Sequence, residues 1–195
     1  MLDERFIILG AFLSFYGAFS YLLATLRCQA KPNRVTWFLW ALAPLIAFFA
    51  ELQKGVGLAA LMTFMVGFNP ALIFLASFFN KQSYWQLSKM DYIYGSISLL
   101  AIVVWQLTGE GNLAILFALL ADALASIPTV IKAFRQPETE SPTIFLFGMI
   151  NAGLTLLTIK IWDIAHLAFP IYIFLICALL YSLIRWRWGV SLVKR

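Results

Sequence analysis

The sequence predicts an all-α membrane protein with seven transmembrane helices. Of the 195 residues, 63% are hydrophobic and only 12% are charged, whereas about 25% of the residues in a soluble domain are charged. The apolar residues form continuous runs without the period-2 alternation of a transmembrane strand, which favours helices over a β-barrel. The seven runs span residues 6–26, 37–50, 56–79, 92–107, 113–131, 144–159 and 167–184.

The individual runs fit membrane helices separated by short loops. Several runs are shorter than the roughly 20 residues that a span needs, and the flanking Trp, Tyr and Lys residues extend them into the interface. The first run follows a short start with one Arg and is long enough to span, so we expect a retained helix rather than a cleaved signal. Cys28 and Cys177 lack metal-site spacing, and we expect free thiols.

The distribution of basic residues predicts the orientation. Seven helices place the termini on opposite sides of the membrane. The N-terminal side then carries Arg5, Lys54 and Lys160, and the other side carries the remaining eleven of the 14 Lys and Arg residues. The positive-inside rule therefore places the N-terminus outside and the C-terminus in the cytoplasm. We expect a multi-pass protein of the bacterial cytoplasmic (inner) membrane, and the asymmetry explains the net charge of +5 without a nucleic-acid partner.

Two segments indicate an internal repeat. "FNPALIFLASF" (68–78) and "FPIYIFLICAL" (169–179) align at a shift of 100 residues, and the first and fifth runs align at a shift of 106. These alignments predict parallel three-helix repeats over 1–80 and 111–195, joined by a linker helix within 81–110. The matched pairs are Pro70 with Pro170, Ile73 with Ile173, Phe74 with Phe174, Leu75 with Leu175, Tyr16 with Asp122, and Ser20 with Ser126.

The segment "SIPTVIKAFRQPETESPT" (126–143), with the three-one-three plan, resembles the SWEET and PQ-loop transporters. In that group the first helix of a repeat ends in Pro-Gln or Pro with a small or apolar residue, followed by spaced basic residues and a Ser. The residues that fit are Pro128, Thr129, Lys132, Arg135 and Ser141. The first half departs from the pattern, with Leu22 and Leu23 in place of Pro-Gln. "WFLW" (37–40) is similar to the Trp-x-x-Trp element of nicotinamide-riboside-type vitamin transporters.

Four polar residues are predicted to form one layer near the middle of the membrane. Tyr16, Asn69, Asp122 and Asn151 lie near the centres of four different runs, where polar side chains are costly and usually functional. We expect this layer to bind the solute, with Trp40 as a wall on which a ring could stack. The alternatives are that the two Asn side chains hydrogen-bond neighbouring helices and that Tyr16 is a packing residue.

Asp122 is the most informative residue of that layer. A charged Asp at the centre of a helix in lipid costs about 2.5–3.5 kcal/mol, and no Lys or Arg lies at a comparable depth in any run. Ser126 and Thr129 share its helix face, which predicts a polar stripe with Ser126 as a further binding residue. Proton coupling or substrate contact, a permanently protonated structural role and cation binding all remain open for Asp122.

Prolines within the runs predict hinges, because each one frees a backbone carbonyl and permits a kink. Pro70 and Pro170 occupy matched positions and are the preferred hinges, with Pro44 and Pro128 as further ones. Near the ends of the runs, we expect Trp37 to be an interface anchor and "RWRWG" and "SLVKR" to anchor the tail on lipid head groups. His166 and Asp163 are expected to form a surface pair.

These expectations together predict a carrier of a small polar, sugar-like solute that works by alternating access, with proton coupling through Asp122 as one option. The alternatives are a vitamin transporter of the same plan and a non-transporting membrane receptor or assembly subunit. Because the sequence lacks a metal cluster, a nucleophile elbow and a phosphate-binding loop, we expect neither an enzyme nor a cofactor. The expected partners are the solute and membrane lipids, with a monomer or a homo-oligomer as the assembly.

Overall fold

The computed structural model describes residues 2–81 and 89–187 of the chain, and these residues are mostly α-helical. The helices are α1 Arg5–Leu26, α2 Arg34–Gln53, α3 Ala60–Ser77, α4 Lys89–Thr108, α5 Gly111–Arg135, α6 Pro142–Thr158 and α7 Ile164–Trp186. Short 3₁₀ turns at Gly57–Ala59 and Pro137–Thr139 precede α3 and α6. The prediction of an all-α fold is confirmed, and each of the apolar runs overlaps one of these helices.

Five helices in the described ranges are long and apolar enough to cross a membrane: Arg5–Leu26, Arg34–Gln53, Gly57–Ser77, Gly111–Arg135 and Ile164–Trp186. Pro142–Thr158 is a shorter apolar helix of 17 residues. The membrane class follows from these helices, while the count of seven spans and their orientation stay predictions. Residues 188–195, which hold most of the predicted basic tail, and residues 82–88 of the third loop lie outside the described residues.

Side chains at the helix ends account for several of the boundaries. Asn33 precedes α2 and its side chain accepts a hydrogen bond from the Val35 N–H at 3.0 Å. Asp163 precedes α7 and accepts one from the His166 N–H at 2.9 Å. Caps of this kind satisfy backbone donors that the first turn of a helix leaves open. The expected pair is present, since Nδ1 of His166 lies 2.7 Å from Oδ1 of Asp163, but His166 is buried rather than on the surface.

The packing of the helices follows a two-fold pattern. In the first half α3 packs against both α1 and α2, and in the second half α7 packs against both α5 and α6. Between the halves, α1 packs against α6 and α2 packs against α5. Exchanging α1 with α5, α2 with α6 and α3 with α7 converts each of these contacts into another member of the set. The helix between the halves, α4, packs against α5 and α2.

The buried faces of α1 and α5 correct the predicted register between these two helices. At a shift of 106 residues Tyr16 is paired with Asp122, but Tyr16 is 62% exposed and Asp122 only 3%. At a shift of 104 every buried residue of α1 falls on a buried residue of α5, and Asp122 is paired with Ala18. The predicted pairing was wrong because two residues of slippage turn a helix by about 200°, whereas apolar sequence aligns almost equally well at either shift.

Candidate functional site

A cavity of about 80 Å³ lies between the two halves of the helix bundle. Helices α1, α2 and α3 contribute to its wall from one half, and α5, α6 and α7 contribute from the other. Most of the wall is apolar or aromatic. The residues with polar groups on it are Ser14, Asn69, Asp122, Cys177 and the two indoles of Trp37 and Trp40. The cavity is therefore an apolar chamber with a few polar groups, which is the usual form of a small-molecule site.

Asp122 is held by a tyrosine rather than by a cation. Its Oδ2 accepts a hydrogen bond from the Tyr172 hydroxyl at 2.8 Å, which joins α5 to α7. Its Oδ1 is buried and has no hydrogen-bond partner among the described residues. A buried carboxyl oxygen without a donor is unfavourable, so Asp122 gains from any proton, water or solute that pairs with Oδ1.

Asn69 and Trp40 present two more unpaired polar atoms. The Asn69 amide donates to the Ser14 hydroxyl at 2.8 Å, which joins α3 to α1. Its Oδ1 lacks a partner among the residues described, as does Nε1 of Trp40. An unsatisfied buried polar atom costs about 1–3 kcal/mol. Residues that line the cavity thus carry two unpaired acceptors and one unpaired donor.

Three of the six residues predicted to bind solute lie elsewhere. Tyr16 packs edge-on against the Phe147 ring, with ring centroids 5.4 Å apart, on the exposed side of α1. Asn151 is 1% exposed but lies in the α1–α6 contact, where a Cβ on Gly10 would be 2.6 Å from its Oδ1. The Ser126 hydroxyl donates to the Ala123 carbonyl of its own helix at 2.7 Å. None of these three side chains lines the central cavity, whereas Asn69, Asp122 and Trp40 do. A role of any of the six in binding solute stays a prediction.

Sequence reasoning missed two buried polar residues, Ser14 and Glu51, and the half-buried Tyr172. Ser14 is two positions from the predicted Tyr16 and lies on the opposite face of α1. Tyr172 carries a hydroxyl group within the last apolar run, and a polar group inside such a run is the signal that could have identified it. Glu51 is 1% exposed and its Oε1 accepts a hydrogen bond from Thr63 at 3.0 Å. Glu51 lies just beyond the predicted apolar run 37–50, whereas α2 continues to Gln53.

The predicted hinge prolines all lie inside helices: Pro44 in α2, Pro70 in α3, Pro128 in α5 and Pro170 in α7. Pro70 lines the central cavity, and Pro128 lines a second cavity nearer one end of the bundle. Pro70 and Pro170 are both buried, in the third helix of each half. Their role as hinges stays a prediction.

Trp37 separates the central cavity from the second cavity, which measures about 290 Å³. Trp37 lines both cavities and is 4% exposed, so the expected interface anchor is in fact a buried residue. Its ring centroid lies 4.9 Å from that of Tyr21 and 5.3 Å from that of Trp40. Trp37 therefore packs among aromatic residues inside the bundle.

Polar contacts close the second cavity around Trp37. Lys132 and Glu140 form a salt bridge of 2.8 Å, and the Tyr21 hydroxyl donates to Oε2 of Glu140 at 3.1 Å. Lys132 also donates to the Lys31 carbonyl at 3.3 Å. These contacts join α1, the α1–α2 loop and α5 to the turn before α6. Any widening of this end of the bundle has to break them.

The opposite end of the bundle contains a third cavity of about 230 Å³, lined by residues that include Ile7, Thr158 and His166. An exposed salt bridge of 3.1 Å joins Lys160 to Glu4 beside it. The central cavity therefore has a polar cavity at each end of the bundle. Among the described residues, no group of three or more His, Cys, Asp or Glu side chains is arranged to hold a metal ion.

Comparison of the chain with protein-family models, with characterised proteins and with solved structures finds no match. The resemblance to the SWEET and PQ-loop group therefore stays a prediction. The fold and the cavity define the class of the protein by themselves. It is a helical membrane protein with a small, mostly apolar chamber between two packed halves.

Proposed function

We propose that this protein is a membrane transporter that moves a small polar solute by alternating access between two three-helix bundles. In this proposal all seven helices cross the membrane, the N-terminus is outside, and α4 links two parallel repeats. The observation that carries the proposal is the central cavity, to which both halves contribute unpaired polar atoms. A binding site between two halves can open to either side when one half moves against the other.

The packing of the helices supports this movement. The most extensive contacts between the halves are α1 with α6 and α2 with α5, which are equivalent under the exchange of the halves, and α3 makes smaller contacts with α6 and α7. When the halves rock about this interface, one end of the bundle opens and the other closes. The third helix of each half moves with its own bundle. The buried prolines Pro70 and Pro170 provide matched positions for bending.

The size of the cavity indicates a closed conformation. A volume of about 80 Å³ is roughly half that of a cavity that holds one benzene ring, about 150 Å³. Solute entry then requires opening, and the Trp37 barrier with the Lys132–Glu140 salt bridge is the gate on the cytoplasmic side. On the outer side the corresponding vestibule is the cavity beside Lys160 and Glu4.

The aromatic wall favours one of the two alternatives predicted from the sequence. Trp37 and Trp40 line the chamber, which suits a vitamin-like solute with a ring. The receptor alternative predicts a charged pocket open to one side, and the second cavity with Lys31, Lys132 and Glu140 has that character. A receptor would bind a ligand there without moving it across the membrane, so a transport measurement separates the two functions.

The test is uptake by the purified protein in proteoliposomes, using a panel of radiolabelled sugars, amino acids and ring-containing vitamins with and without a pH gradient. We expect saturable uptake of at least one solute. Loss of gradient-driven uptake in Asp122→Asn, with exchange of unlabelled for labelled solute retained, indicates proton coupling through Asp122. Full activity of Asp122→Asn would remove the central cavity from the proposal. Tyr16→Phe, on the exposed face of α1, is the matched control and retains uptake.

A further inference from the structure

We infer that the solute of the central cavity is a small organic cation with one flat ring, rather than a sugar or an anion. The inference rests on the proposed transport function, because it assigns the substrate class of the same cavity. Three properties of the chamber lead to it: its charge, its balance of acceptors and donors, and its aromatic wall.

The charge of the cavity is the first property. Among the described residues that line it, Asp122 is the only Asp, Glu, Lys, Arg or His, and the Tyr172 hydroxyl pairs with only one of its oxygens. An anionic solute would face this carboxyl group without a cation to balance either charge. A cationic solute supplies the missing partner for Oδ1, and pairing is the condition under which a carboxylate is retained away from water.

The unpaired polar atoms are the second property. Oδ1 of Asp122 and Oδ1 of Asn69 accept hydrogen bonds, while Nε1 of Trp40 donates one. The set therefore suits a solute that brings more donors than acceptors, as a protonated nitrogen on a ring does. A hexose brings five hydroxyl groups and a ring oxygen. Only a part of these groups would find partners here, and the rest would lose their hydrogen bonds to water.

The aromatic wall is the third property. Trp37 and Trp40 line the chamber at right angles to each other, with an interplanar angle of 86°, and Phe145 of α6 also lines it. The face of a Trp ring attracts cations more strongly than that of any other aromatic side chain, and its flat surface suits a ring. The volume of about 80 Å³ is about half that of a cavity that holds one benzene ring, so a one-ring solute needs some opening of the chamber and a larger solute needs more.

The experiment compares three ligands of almost the same shape and different charge: benzamidinium, benzamide and benzoate, with glucose as a fourth ligand. Binding to the purified full chain in detergent is measured by calorimetry. We expect benzamidinium to bind at least about tenfold more tightly than benzamide, because hydrogen bonds to a charged partner are the stronger ones. Benzoate and glucose are expected to show no binding at the same concentrations.

Two variants locate the site of that preference. Asp122→Asn is expected to reduce benzamidinium binding to the level of benzamide. Glu51→Gln neutralises another buried carboxyl group that does not line the cavity, and it is expected to leave the preference within about twofold of the unchanged protein. Trp40→Phe, which keeps a smaller aromatic face, is expected to weaken benzamidinium severalfold. It serves as the second variant if Asp122→Asn does not elute as a folded protein.

Equal binding of benzamide and benzamidinium, tighter binding of glucose, or an unchanged preference in Asp122→Asn would overturn the inference. Uptake in proteoliposomes separates it from the proposed function. Uptake of glucose that benzamidinium does not inhibit would overturn the cationic substrate and leave the transporter intact. Benzamidinium binding without uptake of any solute would support the cation site and overturn transport. Absence of both binding and uptake would overturn both.

Discussion

Helices α1 and α5 occupy equivalent places in the two halves. They share the same kind of packing face, but only α5 carries a buried acid. Each helix turns a buried face of mostly small residues toward a helix of the other half, α1 toward α6 and α5 toward α2. Small residues let helix backbones approach closely, which drives association in a membrane. The paired positions on these faces are Gly10 with Ala114, Ser14 with Ala118, Gly17 with Ala121, and Ala18 with Asp122.

The last of these pairs joins an apolar residue to a carboxylic acid. Ala18 packs at a position where Asp122 presents a carboxyl group to the cavity. In the third helices the polar residue belongs to the first half instead. Asn69 of α3 lines the cavity, and the apolar Phe169 of α7 is fully buried. The two halves therefore share a packing frame, and each adds its polar group on a different helix. Such a chamber is asymmetric although its frame is two-fold.

Overfilling the small-residue face of α1 is expected to have the largest effect. A Cβ on Gly10 would lie 2.6 Å from Oδ1 and 3.2 Å from Cα of Asn151, so Gly10→Leu forces α1 away from α6. We expect a loss of about 3 kcal/mol in the free energy of unfolding, at the upper end of overpacking effects. The check is thermal unfolding in detergent with size-exclusion elution. Phe12→Leu, at a position 69% exposed, is the control, and equal stability of the two variants would contradict the close contact.

Removing the partner of Asp122 is expected to have the next largest effect. Tyr172→Phe deletes the hydroxyl that donates to Oδ2 at 2.8 Å, leaving a buried carboxyl oxygen without a donor at a cost of about 1–3 kcal/mol. We expect solute uptake to fall roughly tenfold and the response to a pH gradient to change with it. Initial uptake rates between pH 5 and 8 measure this effect. An unchanged pH profile would show that Tyr172 does not hold Asp122 in the working protein.

The cap of α7 gives a smaller and pH-dependent prediction. Slight burial raises the pKa of the Asp163 carboxyl, but its hydrogen bonds with the His166 ring and backbone and the nearby His166 charge outweigh that and hold the pKa below its usual value. A depressed pKa contributes stability above the unfolded value near 4 and loses it as the pH falls through the folded value. We expect Asp163→Ala to cost about 1 kcal/mol at pH 7 and less below about pH 4. Thermal unfolding at both pH values checks this, and a constant difference would exclude the carboxylate as its source.

The exposed face of α1 gives the smallest expected effect. Tyr16 is 62% exposed and contacts only the edge of Phe147 among the ring contacts described for it. Tyr16→Leu keeps an apolar side chain in the same place, so we expect uptake and stability within experimental error of the unchanged protein. A loss of uptake comparable with that of Asp122→Asn would return Tyr16 to the binding layer and contradict the register between α1 and α5.

The candidate site was predictable in part, and the limit lies in the direction of side chains. Depth along a helix follows from counting along an apolar run, and this placed Asn69 and Asp122 correctly near the centre. The side of the helix to which a residue points does not follow from its position along the run when nearly every residue of the run is apolar. Tyr16 and Ser14 are close in depth and differ in face, and the sequence favoured the larger polar residue. Tyr172 was missed because one hydroxyl in an apolar run gives no sign of its partner.

The sequence by itself determined the helices, their apolar character and the central acid, because low charge density and continuous apolar runs leave the backbone no other way to satisfy its hydrogen bonds in lipid. Tertiary structure alone decided which helices meet and which faces they bury. It matched the buried position of Asp122 in α5 with that of Ala18 in α1. It also paired Asp122 with Tyr172 and turned Trp37 inward, between two cavities. The physical reason is that contact between helices depends on the fit of small residues over many turns, and this fit is a property of two surfaces together.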